Sequence, residues 1–154
     1  MAIKMEMRFD LSPQLVALTG DKAGQVVRHT ADALRDRAKA KIQRGPKTGR
    51  VYRSRTKPSP HQASAPGEAP ASWSKELEES IVSVVVGERT SEVQVGAEYG
   101  GKYLEQGTPG GKIKPRPFLA PSAEEQRPLF VRDMMEAVRQ AAREAVREAV
   151  GKLG

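Results

Sequence analysis

Apolar and polar positions set out most of the elements. Ile3, Met5, Met7 and Phe9 alternate with Lys4, Glu6 and Arg8, a period of two that predicts a short half-buried strand. Ser12 and Pro13 form an N-cap and first-helical-residue pair. From there to Arg44 the period is helical, with Val27, Ala31, Leu34, Ala38 and Ile42 on one stripe. Gly20 and Gly24 each cost about 1 kcal/mol relative to Ala, so a break is expected near residues 19–21. Gly45-Pro46 ends the helix. In "SWSKELEES", residues 72–80, Ser72 or Ser74 can cap one or two helical turns. The β-branched runs at 81–86 and 92–96 predict an antiparallel hairpin with at least one covered face. A short helical piece is expected at 102–106. Ser122 with Glu125 reads as a capping box opening a helix to about Val150, its apolar stripe Val131, Met135, Val138, Ala142, Val146 and Ala149.

The order predicts an α+β fold: a small, mostly antiparallel sheet packed against two long helices. A long extended loop joins the first helix to the hairpin. At 154 residues the chain fits one domain over 1–154. With three Phe, three Tyr and one Trp, its core must be built from Val, Leu, Ile, Met and Ala. There is no cysteine, which removes disulfides and thiolate metal sites. The first residues lack the apolar run of a signal peptide and no stretch approaches 18 apolar residues, so a non-membrane protein made in the cytoplasm is expected.

The loop at 45–72 is unusual. Val51 and Tyr52 are its only large apolar side chains, and connections longer than ~12–15 residues are functional or disordered in most compact domains. Charge adds to the picture. Residues 20–61 hold twelve Lys and Arg against three Asp, a net +9 in a chain of net +7. All of the basic character lies in this segment. It reads either as a polyanion footprint or as a solvated helix face running into a soluble loop.

No catalytic constellation can be assembled. His29 and His61 have no metal-ligand spacing, and no phosphate-cradling loop is present. Ser80 and Ser83 have no base nearby in sequence, and Glu76, Glu78 and Glu79 read as a solvated face. The expectation is no enzyme, no cofactor and no metal. Among the basic residues Tyr52 is the one aromatic, whereas stacking modules present two or more.

Four segments, taken together, carry a resemblance. "HQASAPGEAPA" (61–71) precedes "LEESI" (77–81), "VQVGAEYGGKYLEQGT" (93–108) follows, and "RPFLAP" (116–121) opens the last helix. This order resembles the tail-completion, or neck, proteins of long-tailed bacteriophages, the group that includes minor tail protein Z. The chain departs from that pattern at "SWSKEL" (72–77) and at Pro121-Ser122. The resemblance implies a non-enzymatic virion protein, assembled in the host cytoplasm, that forms a homo-oligomeric ring of six copies. The ring would complete the tail and join it to the capsid connector. Its partners would be neighbouring connector or stopper proteins, tail terminator or tail tube proteins, and phage DNA in the channel, with no membrane.

On that reading Arg50, Tyr52, Arg53, Arg55 and Lys57 contact the DNA channel or a partner ring. His61, Ser64, Pro66, Gly67, Glu68 and Pro70 form an inter-subunit loop, and the long loop as a whole, residues 47–70, is expected to be disordered in the monomer and ordered on assembly. Tyr103, Leu104, Phe118 and Leu119 are expected to pack inward, with Gly107 and Thr108 in a turn. Glu105 either pairs with a basic group or caps backbone amides. Arg116, flanked by Pro115 and Pro117 and close to Pro121, is a subunit or DNA contact or is simply solvated. The alternative function is sequence-independent nucleic-acid binding through residues 20–61.

Overall fold

The computed structural model describes residues 3–6, 13–53, 55–56, 59–96 and 101–151. Met7, Phe9, Ser12 and Lys57 lie outside them. The elements run β1 (Ile3–Glu6), α1 (Pro13–Arg44), β2 (Val51–Tyr52), β3 (His61–Gln62), α2 (Glu76–Glu79), β4 (Ile81–Gly87), β5 (Thr90–Val95), α3 (Gly101–Gln106) and α4 (Leu119–Gly151). The fold is α+β. One antiparallel sheet has the order β1-β5-β4, and β2 and β3 form a separate two-stranded ribbon.

Helix α1 is the middle layer, packing against β4 and β5 and also against α4. The stripe read from the sequence is the one that is buried: Ala31, Leu34, Ala38 and Ile42 meet Ile81, Val93 and Val95 of the sheet, with Phe118 and Leu119 closing the end. A second apolar cluster joins Ala23 of α1 to Phe130 and Met134 of α4. The expected break in α1 occurs at Gly20, whose backbone is non-helical at φ 30°. Gly24 sits against the β4–β5 turn, where any Cβ would lie 2.6 Å from the Glu88 carbonyl oxygen.

Ion pairs fix the antiparallel course of α1 and α4. Lys22 reaches Glu144 at 2.8 Å near one end, and Glu125 takes both Arg37 (3.2 Å) and Lys41 (2.5 Å) near the other. These pairs lie nineteen residues apart on each helix, a span of roughly 28 Å at 1.5 Å per residue.

Three sequence expectations need correction. The buried stripe of α4 is Phe130, Met134, Ala137 and Ala141, whereas Val131 and Met135 are exposed. Both stripes have helical spacing, but only the first carries the aromatic volume that fills the space beside Ala23. Ser122 is no cap. It lies inside α4, fully buried, and its hydroxyl donates to the Phe118 carbonyl at 2.6 Å, while Glu125 is engaged by α1. Finally, neither Ser72 nor Ser74 caps α2. The N-cap position is Lys75, left-handed at φ 65° and without a side-chain cap bond.

Candidate functional site

Three of the four segments that carry the resemblance meet at the end of the molecule where α4 begins. The first, Ala65-Pro66-Gly67-Glu68, is a reverse turn in which the Glu68 N–H donates to the Ala65 carbonyl at 3.1 Å. Gly67 stands at φ 86° after a proline, the arrangement of a type II turn. Glu68 then folds back over its own turn. Its carboxylate accepts from the Ala65 N–H at 2.8 Å, from the Thr48 N–H at 2.9 Å and from the Thr48 hydroxyl. The hydroxyl bond leads, the two amides follow, and together they hold the Glu68 carboxyl below its ordinary value. Lys47, beside it, donates to the Lys41 and Gly45 carbonyls at the C-terminus of α1. Burial lowers the pKa of that ammonium.

In the second segment Glu105 caps backbone amides, one of the two roles expected of it, and does so at the start of α4, where Ser122 is the cap expected from sequence. One oxygen of Glu105 accepts from the Phe118 and Leu119 N–H groups at 2.9 and 3.0 Å, and the other accepts from Ala120 at 2.8 Å. A helix begins with N–H donors that lack intrahelical partners. Here Glu105 takes three, and the next residue, Pro121, has no N–H at all. The start of α4 is therefore fully paired, and a carboxylate sits where the helix dipole favours it. Gly107, at φ 77°, ends α3 by donating to the Tyr103 carbonyl. A Cβ there would lie 2.8 Å from the Ile113 carbonyl oxygen. The Thr108 hydroxyl accepts from the Ile113 N–H and closes the following loop.

The third segment ties the first two together. The Gly67 N–H donates to the Pro115 carbonyl at 2.8 Å, Arg116 Nε donates to the Ser64 carbonyl at 3.2 Å, and the Arg116 N–H donates to the Leu104 carbonyl. Ser64, Ala69 and Pro70 are buried, as are Phe118 and Leu119; Leu104, Pro117 and Pro121 are half-buried. Tyr103 is exposed, contrary to the inward packing expected of it. The hydrogen bonds of Glu68, Gly67 and Ser64 tie residues 61–71 to the C-terminal end of α1 and, through Pro115 and Arg116, to α3 and the start of α4. Within the segment the Ala65, Gly67 and Glu68 N–H groups and the Ser64 carbonyl are paired inside the chain.

The basic half of the loop is different. Arg50, Tyr52, Arg53 and Arg55 are all exposed. β2 and β3 pair Val51 with Gln62 and Tyr52 with His61, so the arm is a ribbon and not a tether. Its base is fixed: Gly49 donates to the Ala63 carbonyl, Ala63 donates to the Arg50 carbonyl, and a Cβ on Gly49 would lie 2.7 Å from carbonyl oxygens. The Arg50 guanidinium lies 5.5 Å from the centre of the Tyr52 ring, a cation–π distance. His61 faces Trp73 with ring centroids 4.2 Å apart. Beneath them an open groove of about 270 Å³ runs past Leu77, Leu104, Lys75 and Arg116.

Known protein families, curated proteins and solved structures give no match to this chain. Among the described residues no group of three or more His, Asp or Glu could hold a metal ion, and no helix is long and apolar enough to cross a membrane. The arm offers three arginines, a tyrosine beside one of them and a base fixed by backbone hydrogen bonds. Such a surface binds phosphates or carboxylates through charge-assisted hydrogen bonds. Thr48, Trp73 and Lys75 were not singled out from the sequence; nothing in their local pattern sets them apart.

Proposed function

We propose that this chain is a structural subunit of a bacteriophage neck. It assembles into a ring of six copies at the head-proximal end of the tail, completes the tail and joins it to the capsid connector. The observation that carries this reading is the ordered set of neck-protein motifs. Their residues have interlocking roles here: the Glu68 turn, the Glu105 cap and the Arg116 tie form one unit at the start of α4. That unit holds a basic ribbon at a fixed root, as a subunit facing DNA or an acidic neighbouring ring requires. Its partners are then copies of itself, the adjoining connector or stopper, the tail terminator or tube proteins, and the DNA in transit. Electron microscopy of tails and complete particles labelled for this protein tests the reading. Label at the head–tail junction is expected; its absence there refutes the proposal.

A second reading is favoured by the exposure of Arg50, Arg53 and Arg55 around Tyr52: sequence-independent nucleic-acid binding by the isolated chain. Its mark is DNA affinity that falls linearly in log–log form with salt and does not depend on sequence. Binding that appears only in assembled rings argues for the neck.

A further inference from the structure

Among the described residues the β1-β5-β4 sheet ends in two unpaired edges, and the two differ. Gly96 N–H donates to the Ser80 carbonyl at 3.1 Å, continuing the β4–β5 ladder by one pair. Hydrogen-bonded and non-hydrogen-bonded pairs alternate in an antiparallel ladder. Val82 and Val84 therefore bond to β5, while the N–H and C=O groups of Ile81, Ser83 and Val85 point away from it. None of these outward groups has a backbone partner among the described residues. Natural edge strands are blunted with Lys, Pro or inward-facing charge. β4 reads Ile-Val-Ser-Val-Val-Val-Gly and has none of these; its one irregularity is a bulge between Val85 and Gly87, at the end of the strand beyond Ile81 and Ser83. Val82, Val85 and Val86 are 42%, 56% and 48% exposed.

The other edge is β1. Its register with β5 sets Ile3 opposite Val95 and Met5 opposite Val93. Since Gln94 and Glu92 are spent on β4, Ile3 and Met5 make the bonds to β5, leaving the N–H and C=O groups of Lys4 and Glu6 outward. Both β1 and β4 run antiparallel to β5, so they are parallel to each other. We propose that the β4 edge of one copy takes the β1 edge of a second copy, parallel and head to tail. With Met5 level with Ser83, the Ser83 N–H meets the Lys4 carbonyl and the Glu6 N–H meets the Ser83 carbonyl. The registers agree: within one copy Met5 and Ser83 are both level with Val93, so setting Met5 of a second copy level with Ser83 repeats the alignment already present across β5. A contact between unlike edges leaves one free edge at each end of every partial assembly, and it closes as a ring. The inference deepens the ring reading and rests on it only for closure.

The test uses the full chain and its oligomeric state by native mass spectrometry and light scattering across concentration. Proline is tolerated on an edge strand where the replaced N–H faces outward. V85P should therefore block only the β4 edge, and K4P only the β1 edge. The wild type is expected to assemble. Each variant should keep its far-ultraviolet spectrum and associate at least about tenfold more weakly. Mixed together, the two variants should give one-to-one dimers and nothing larger. If V85P loses the fold, V85K carries the same test. A wild type that stays monomeric throughout overturns the proposal, as does V85P or V85K assembling like the wild type. K4P assembling normally while V85P does not points to a two-fold β4–β4 contact, and that also overturns it. Position in the particle is judged separately by microscopy, so a failed edge contact leaves the neck reading standing.

Discussion

Glu105 has the most defined role of any single residue. Its two oxygens serve three consecutive amides at the start of α4, and the side chain comes from another helix, thirteen to fifteen positions earlier in sequence. Removing a cap costs about 0.5–2 kcal/mol. E105A is expected near the upper end, because three donors lose their acceptor at once; a urea unfolding midpoint unchanged from wild type would refute the role. Glu68 gives a pH dependence with a defined sign. Its folded-state pKa lies below the ordinary 4.5, so its contribution is fully present above that value and is lost as pH falls through the lower folded one. The stability gap between wild type and E68Q should be largest at neutral pH and close as pH drops below the ordinary value. A gap that widens on acidification would contradict the hydrogen-bonded carboxylate.

Among the elements, α4 best separates what the sequence could and could not say. Its existence and length were legible from periodicity, but its rotation was not. Val131, Met135 and Val138 make as good a helical stripe as Phe130, Met134 and Ala137, and only the shape of the space beside Ala23 chooses between them. F130A should cost about 3–5 kcal/mol, whereas V131A, at an exposed site, should stay within about 0.5 kcal/mol. Thermal unfolding of the two variants distinguishes the stripes. The cap was misplaced for a related reason. Ser122 and Glu125 satisfy a local rule, but long-range partners, Glu105 for the amides and Arg37 and Lys41 for Glu125, override it. In α1 nothing competes with the Ala31-Leu34-Ala38-Ile42 stripe, and there the reading and the fold agree. The loop was half legible. "APGE" carries the chemistry of a turn, since proline presets one dihedral angle and glycine permits the next, but from sequence the segment is read only as part of an extended inter-subunit loop. The β2–β3 ribbon depends on a two-residue pairing across a gap, too short to leave a periodic signal.

At the scale of the whole molecule, charge and order are separated along one loop. Residues 61–71 are tied to the domain and hold the ribbon root; the arginines beyond it are left exposed. Replacing Arg50, Arg53, Arg55 and Lys57 together with Glu should leave the domain folded, since none of the described members of this set contributes to the core. Head–tail joining in a complementation assay should fall by at least about tenfold, because each contact surrendered is charge-assisted. Normal joining would remove the ribbon from the interface.

The central claim is position in the particle, and a reconstruction of the head–tail junction from purified virions tests it most directly. The account predicts a closed ring of six copies of this chain between connector and tail tube, with the β2–β3 ribbons turned toward the channel or the adjoining ring. A junction fully accounted for by other proteins, with no density for this chain, would contradict it.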